Sequence, residues 1–206
     1  MLNTASSVHN LTATKIVVVG LFSALIVVGG ILLLALSVLF TSVVMRFLQN
    51  IIQSVNTSIQ LLRHTVHRLN IDVILLQEIW QPSDGSITIK NYSQPITKFR
   101  QGGKGGGVAI IPHRKVKIVH LKEYDMDGLE AVWAVILINK VQTVIGSVYV
   151  PPGDMSALSI LDTVISKILT SFSHILIAIN ANSRSTLWDD MCAGISQSRR
   201  LSLIHI

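Results

Sequence analysis

The feature that most restricts how this chain can fold is an uncharged, apolar run between Lys15 and Arg46. Roughly 20 consecutive apolar residues are enough for a helix to cross the hydrocarbon core of a bilayer, which is about 30 Å thick. A signal peptide needs an apolar core of only about 7–15 residues, so the run is long for that role. We therefore predict a transmembrane helix over residues 16–45, preceded by an N-terminal tail of residues 1–15. A signal peptide and a misjoined reading frame are the alternatives.

Positive charges flank this run unequally. Lys15 precedes it, whereas Arg46, Arg63 and Arg68 follow it. Cytosolic segments next to a membrane helix are enriched in Lys and Arg. The expected localisation is therefore a single-pass membrane protein whose C-terminal portion is cytosolic.

Charged residues are scarce in the chain and unevenly distributed along it. Half of the residues are apolar and 14% are charged, against about a quarter charged in soluble domains. The net charge of +6 arises almost entirely after residue 45, which suits an anionic partner such as nucleic acid or an anionic membrane surface. A solvated basic surface without a specific partner would explain the same excess. The single cysteine, Cys192, excludes an internal disulfide.

The remainder of the chain has the pattern of a mixed α/β domain. Apolar residues at helical spacing predict amphipathic helices over Thr57–Leu69 and Ser156–Leu169. Short apolar segments predict strands at Ile71–Leu76, Ile87–Tyr92, Val108–Ile111, Val116–Leu121, Glu130–Ile138, Val141–Val150 and His174–Ile179. Asn139-Lys140 is typical of a two-residue hairpin turn. This order indicates a sheet layered against helices, with functional residues on the loops that follow the strands.

Polar residues follow three of the predicted strands. Glu78 comes after a buried strand, where its carboxylate could hold Mg²⁺, which usually keeps several waters and takes one or two protein carboxylates. Asn180 and Asn182 are two positions apart, so their amides can face the same side and bind a phosphate or a water. Tyr149 ends a third strand. Taken singly, these residues are better explained as a solvated glutamate, a polar turn and a half-buried aromatic.

A glycine-rich segment, Gly102–Gly107, surrounds Lys104. Glycine amides can cradle a phosphate. The segment lacks the Gly-Lys-Ser/Thr ending of a nucleotide-binding loop, and a strand follows it where that loop would need a helix. We therefore interpret it as a flexible turn before a strand.

The order of these motifs resembles one known family. They are Asp72-Val-Ile-Leu-Leu-Gln-Glu78-Ile-Trp80, then Gly105-Gly-Gly-Val-Ala-Ile110, then Ser147-Val-Tyr-Val-Pro-Pro152, then Asn180-Ala-Asn-Ser-Arg-Ser-Thr-Leu-Trp188. Together they are similar to the endonuclease domain of non-LTR retrotransposons, a branch of the endonuclease/exonuclease/phosphatase superfamily. The resemblance is clearest from Leu61 to Trp188.

The resemblance implies a two-sheet α/β sandwich, here an incomplete domain over residues 48–206, that hydrolyses DNA phosphodiesters with Mg²⁺ or Mn²⁺. It implies that Glu78 binds the metal, that Tyr149 lies near the scissile phosphate, and that Asn182 positions the nucleophile or the phosphate. It implies no small-molecule cofactor. The oligomeric state and any preference for a DNA sequence stay open.

Three departures from the family pattern lie at functional positions. Asn180 stands where the family's Asp-x-Asn motif has its aspartate, and an amide cannot accept a proton as a carboxylate does. Ile51 aligns with a metal-site asparagine, and Asn50 is one residue out of register. The family's C-terminal Ser-Asp-His motif is not found before Ile206.

We therefore expect an endonuclease-like hydrolase whose activity is impaired or lost, and whether it acts as an enzyme stays open. The alternatives are a non-catalytic, degenerate fragment of a retrotransposon and a membrane-tethered basic module that binds nucleic acid.

Overall fold

The computed structural model describes seven segments of the chain, residues 16–19, 24–28, 31–40, 43–51, 55–80, 87–100 and 105–181, with side chains from 45–49 and from 59 onward. These segments form two mixed sheets and two long helices. The strands are β1 (Ile16–Val19), β2 (Ala24–Val28), β3 (Ile31–Phe40), β4 (Val43–Ile51), β5 (Val73–Gln77), β6 (Ile96–Lys98), β7 (Val108–Pro112), β8 (Ile118–His120), β9 (Glu130–Ile138), β10 (Val141–Tyr149) and β11 (His174–Asn180). The helices are α1 (Val55–Arg68) and α2 (Met155–Ser171), with a 3₁₀ turn at Lys122–Tyr124.

The strands are divided between a five-stranded sheet of order β1-β11-β10-β9-β8 and a six-stranded sheet of order β2-β3-β4-β5-β7-β6. In the first sheet β11 runs parallel to both β1 and β10, and β9 is antiparallel to β10 and β8. In the second, β4 and β5 are parallel and the other pairs are antiparallel. The β9–β10 hairpin turns at Asn139 and Lys140, whose φ angles of 51° and 67° are those that a two-residue type I′ turn requires. The predicted hairpin is confirmed.

The two sheets pack face to face, and each is covered on its outer face by one helix. Val73 and Leu75 of one sheet share a buried cluster with Val132, Ala134 and Leu176 of the other. Helix α1 packs through an apolar stripe onto β5 and β7. Helix α2 packs in the same way onto β9, β10 and β11. Strands β5 and β7 are therefore buried along their whole length, which explains their continuous apolar sequences.

A polar bridge crosses the otherwise apolar space between the sheets. The Gln77 side-chain amide donates to Ser147 Oγ at 2.9 Å and to the Ala178 carbonyl at 3.3 Å. The Ser147 hydroxyl donates to the Leu76 carbonyl at 2.8 Å, and Gln49 donates to Gln77 Oε1 at 3.3 Å. Gln77 and Ser147 are fully buried. Since unpaired polar groups would be costly there, this bridge favours one alignment of the two sheets.

The predicted transmembrane helix over residues 16–45 is wrong for the residues that the structure describes in that range. Strands β1, β2, β3 and the start of β4 occupy them. A predominantly apolar run rich in Val, Leu and Ile shows no period, so it fits buried strands as well as a helix. Among the described residues, no helix is both long and apolar enough to cross a membrane. The membrane localisation stays a prediction.

The strand predicted at Ile87–Tyr92 is not formed, and β6 (Ile96–Lys98) was not predicted. Within Ile87–Tyr92 only Tyr92 pairs, through an isolated bridge to His113, and the strand in this region is β6. Ile87, Ile89 and Tyr92 are buried against the face covered by α1. The alternation of buried and exposed residues in this segment therefore reflects side-chain packing, without the backbone hydrogen bonds of a β-strand. The other predicted helices and strands are confirmed, with ends displaced by a few residues.

Candidate active-site rim

Strand ends from both sheets meet at one end of the sandwich, which we call the rim: Glu78, Arg100, Gly105–Gly107, Glu130, Tyr149 and Asn180. Glu78 directly follows β5. Register places Tyr149 beside Glu130 on one side and beside Asn180 on the other. The polar bridge of Gln77 and Ser147 lies directly beneath. The rim is therefore assembled from strands that are distant in sequence and fixed by two sheets.

Glu78 is held in an unusual backbone conformation and is nearly buried. Its φ is +55°, in the left-handed region that non-glycine residues rarely adopt. Such a conformation costs on the order of 1–2 kcal/mol and persists only when surrounding contacts enforce it. The residue is 8% exposed. Strain of this kind often occurs at functional sites, which makes Glu78 the first candidate of the rim.

The Glu78 carboxylate already has a neutral partner. Asn180 Nδ2 donates to Glu78 Oε1 at 2.9 Å, across the gap between the two sheets. An aspartate at position 180 would place two carboxylates in contact, and these would need a proton or a cation between them. The amide removes this repulsion, because it supplies the donor itself. Glu78 and Asn180, which the sequence indicates as separate candidates, are thus in direct contact in the structure.

Tyr149 lies beside that pair and is covered by a cation. It is 7% exposed, and the guanidinium carbon of Arg100 lies 5.4 Å from the centre of its ring. Arg100 Nε donates to Glu130 Oε1 at 2.6 Å. Burial lowers the pKa of Arg100, but the hydrogen bonds and charges of Glu130 and Tyr149 more than offset this and raise it above its usual value. Arg100 is therefore permanently charged.

The three glycines before β7 close the rim around Glu130. Gly105, Gly106 and Gly107 all have φ between +72° and +86°. The Gly107 amide donates to Glu130 Oε2 at 2.5 Å, and a Cβ on Gly106 would lie 2.4 Å from that carboxylate. The segment is further bonded to the chain after Glu78, because Trp80 N donates to Gly106 O at 3.1 Å. The amide that could have faced a phosphate is thus bound to the protein's own carboxylate.

Three of the four predicted site residues, Glu78, Tyr149 and Asn180, lie together at the rim, and Asn182 lies outside the described residues. The sequence reading missed Arg100 and Glu130. A lone carboxylate opening the apolar strand β9 was the available signal for Glu130. Nothing in the sequence joins it to Arg100, 30 positions earlier.

Strand β4 ends beside β5. Parallel pairing places Ile51 beside Gln77 and Asn50 beside Leu76. Which of the two positions corresponds to the family's metal-site asparagine stays a prediction.

The rim offers a divalent cation one carboxylate of suitable chemistry, that of Glu78. Magnesium can bind through a single carboxylate and several waters, and Glu78 is the residue of the right chemistry. Its Oε1 accepts from Asn180, and the other rim carboxylate, Glu130, is bound to Arg100 and Gly107. In the described part of the chain, no group of three or more His, Cys, Asp or Glu side chains could hold a metal ion.

The fold is an α/β sandwich of the nuclease and phosphatase type. It has two mixed sheets packed face to face, a helix on the outside of each, and polar residues at the strand ends. Residues 47–198 match the Endonuclease/Exonuclease/phosphatase family. The chain belongs to this family.

Solved structures share the fold at low sequence identity. The endonuclease domain of TRAS1, a telomere-specific non-LTR retrotransposon, superposes with a TM-score of 0.56 and 18% identity over 70% of this chain and 62% of that one. The catalytic domain of Xenopus laevis APE2 gives 0.53 and 17% over 68% and 59%. This chain thus spans about three fifths of their lengths. No curated protein matches the sequence.

Proposed function

We propose that this chain is a DNA-directed phosphodiester hydrolase of retrotransposon origin, which nicks DNA with Mg²⁺ at a rate reduced by Asn180. The observation that carries the proposal is the contact between Asn180 and Glu78 at the rim, beside Tyr149. These three residues arrive from both sheets at one place, as a nuclease of this family would need. The superposition on the TRAS1 endonuclease domain supports DNA as the substrate class.

The residues have separate roles in this proposal. Glu78 would hold the cation, which when bound neutralises charge on the phosphodiester and polarises it. Tyr149 presents a phenol next to Asn180 and can donate a hydrogen bond to a phosphate oxygen. The sheets exclude water beneath the rim, because Gln77 and Ser147 are fully buried and hydrogen-bonded there.

Asn180 is the residue that lowers the rate. A carboxylate at this position could accept a proton from an attacking water, whereas an amide cannot. General-base catalysis contributes roughly 10²–10⁴-fold, so the loss is of that order. The amide also occupies one oxygen of Glu78, which weakens that carboxylate as a metal ligand.

The test is a plasmid-nicking assay with Mg²⁺ on the wild-type chain, Asn180→Asp and Glu78→Ala. We expect slow nicking by the wild type and an increase of roughly 10²-fold or more in Asn180→Asp. Glu78→Ala should abolish nicking and serves as the control for contaminating nuclease. Equal rates in all three proteins would refute the proposal.

A non-catalytic DNA-binding domain is the second candidate, and the same hydrogen bond favours it. Because Asn180 satisfies Glu78 without a cation, the rim can be held together in the absence of metal. This candidate predicts DNA binding that EDTA does not change and no nicking by either the wild type or Asn180→Asp. Nicking by Asn180→Asp alone would show that catalysis was lost by this single substitution.

A further inference from the structure

Trp80 lies beside the rim, two residues after Glu78, and is largely open to solvent. It is 48% exposed, and within the described part of the chain it is the only aromatic residue that is exposed to this degree. Two residues of chain span at most about 7 Å. The nucleotides of one DNA strand follow each other at about 3.4 Å along the helix axis. A phosphate bound at Glu78 would therefore have its neighbouring nucleotides within reach of Trp80.

The backbone at Trp80 is held in an unusual conformation. Its φ is +46°, close to the +55° of Glu78, so two non-glycine residues in one short turn adopt left-handed backbone. Such conformations persist only where surrounding contacts enforce them, and they cluster in ligand-binding segments. The contacts here are Ile79 N to Gly107 O at 3.3 Å and Trp80 N to Gly106 O at 3.1 Å. The position of Trp80 is thus fixed by the glycine segment before any ligand binds.

The indole is also supported by the protein along one side. A Cβ added at Gly105 would lie 3.3 Å from Trp80 Nε1 and 3.6 Å from Cε2, so the five-membered ring packs closely over the backbone of Gly105. The preceding residue, Ile79, is fully buried. A single exposed apolar side chain needs no explanation by itself. Trp80 differs because it is anchored on both sides of the turn, and an ordered side chain loses less entropy when it binds a ligand.

A nucleobase is the ligand that suits an anchored, exposed indole at this place. Stacking of bases on aromatic side chains is tolerant of sequence, because every base has a π-face. In a continuous duplex the faces of each base are already covered by its neighbours, so a base must be unpaired or extruded before it can stack on a side chain. Trp80 should therefore distinguish single-stranded or locally opened DNA from intact duplex.

We propose that Trp80 is a nucleobase-stacking residue next to the rim, and that it gives the chain a preference for DNA with unpaired bases. This inference rests on the proposed function for DNA as the ligand, and it does not require catalysis. Trp80 carries no charge, so its contribution is independent of the counterion release that accompanies contacts of lysine or arginine with phosphate.

The experiment measures binding of a labelled oligonucleotide of mixed sequence by fluorescence anisotropy in EDTA, with the DNA either single-stranded or annealed to its complement. Trp80→Ala should weaken binding of the single strand about tenfold, as expected for the loss of one stacked base. It should change the affinity for the duplex less than about twofold. The slope of log affinity against log salt should stay the same, because no charge is removed.

Trp80→Phe and Trp80→Leu separate stacking from apolar bulk. Phenylalanine keeps an aromatic face and should retain most of the affinity for the single strand, whereas leucine should lose it as alanine does. If Trp80→Ala fails to fold, the difference between these two variants decides. Leu137→Ala is the matched control, because Leu137 is 60% exposed at the end of β9 that is remote from Glu130. This control should change neither affinity.

Equal affinities of Trp80→Phe and Trp80→Leu for the single strand would overturn the inference. Equal losses of Trp80→Ala on single strand and duplex, or no binding of the single strand by the wild type, would do the same. Failure to nick DNA contradicts the proposed function alone, because binding is measured without metal.

Discussion

Tyr92 is a buried phenol at the end of the sandwich opposite to the rim. Its hydroxyl donates to the Ile71 carbonyl at 2.7 Å, and its ring lies between His67 and His113. Burial, reinforced by the charge of Asp72, raises its pKa from 10.0 to about 12. The folded state therefore holds the Tyr92 proton more tightly than the unfolded chain does.

This shift predicts a loss of stability at alkaline pH. A raised pKa contributes stability that is complete below the unfolded pKa of about 10 and is lost as the pH rises through about 12. Two pKa units correspond to about 3 kcal/mol. Tyr92→Phe should lower the free energy of unfolding at neutral pH, because the bond to Ile71 is lost, and should flatten its alkaline decline. Urea unfolding at several pH values gives the free energy of unfolding of both proteins as a function of pH. If this free energy falls equally steeply above pH 10 in the wild type and in Tyr92→Phe, Tyr92 is not the group responsible.

At the scale of single residues, the sequence could predict those that carry a motif. Glu78, Tyr149 and Asn180 each end a strand, and strand ends meet at one edge. Arg100 and Glu130 could not be predicted as a pair, because their contact depends on how the glycine segment folds over β9. The positive φ of Glu78 is likewise invisible in sequence, since glutamate gives no signal for that conformation.

Among the elements, the β9–β10 hairpin contains a close approach that only glycine allows. A Cβ added at Gly146 would lie 2.3 Å from Cζ3 of Trp133, its register partner, and Trp133 is fully buried. The tryptophan therefore fills the space above the glycine and packs beneath α2. Small and large residues face each other across the strand pair.

Gly146→Ala should therefore destabilise the protein by about 1–3 kcal/mol or more, because a filled core cannot admit the extra methyl group. Trp133→Leu opens space but leaves a cavity, and it should cost about 3 kcal/mol. In the double variant the cost of the alanine should be smaller than in the wild-type background. A double-mutant cycle by urea unfolding measures this coupling, and strictly additive costs would contradict the contact.

The same hairpin shows why the elements from residue 55 onward were mostly predictable and the earlier ones were not. Its two strands are separated by Asn139-Lys140, and helices α1 and α2 have polar residues on their outer faces. Those interruptions give each element a period and an end. Residues 16–45 contain no charged residue and too few polar ones to set a period, so hydrophobicity alone could not distinguish a helix from strands.

At the scale of the whole domain, the part of the chain that supplies one sheet differs in charge from the part that supplies the other. Residues 43–117, which supply α1 and most of the six-stranded sheet, have ten Lys or Arg and three Asp or Glu. Residues 118–181, which supply α2 and most of the five-stranded sheet, have three Lys or Arg and six Asp or Glu. The layer with α1 is thus basic and the layer with α2 is acidic. A polyanion should approach from the α1 side.

This asymmetry predicts which surface charges affect DNA binding. Replacing Arg68 and Arg114, both exposed on the basic side, with glutamine should reduce the salt dependence of DNA binding by weakening the long-range attraction of this layer. The same change at Lys140 and Lys167, which are exposed on the acidic side, removes equal charge and should have little effect. Anisotropy titrations at several salt concentrations compare the two double variants. Equal slopes would mean that DNA does not prefer either layer.

The bridge of Gln77 and Ser147 has a consequence for how domains of this kind lose their activity. Each sheet carries half of the rim, Glu78 on one and Tyr149 with Asn180 on the other. The distance between these two halves depends on the hydrogen bond between Gln77 and Ser147, which are both fully buried. A substitution at position 147 could therefore silence the rim while every residue of the rim stays unchanged. In a diverging lineage, inactivation can thus begin at a position that an inspection of the surface would pass over.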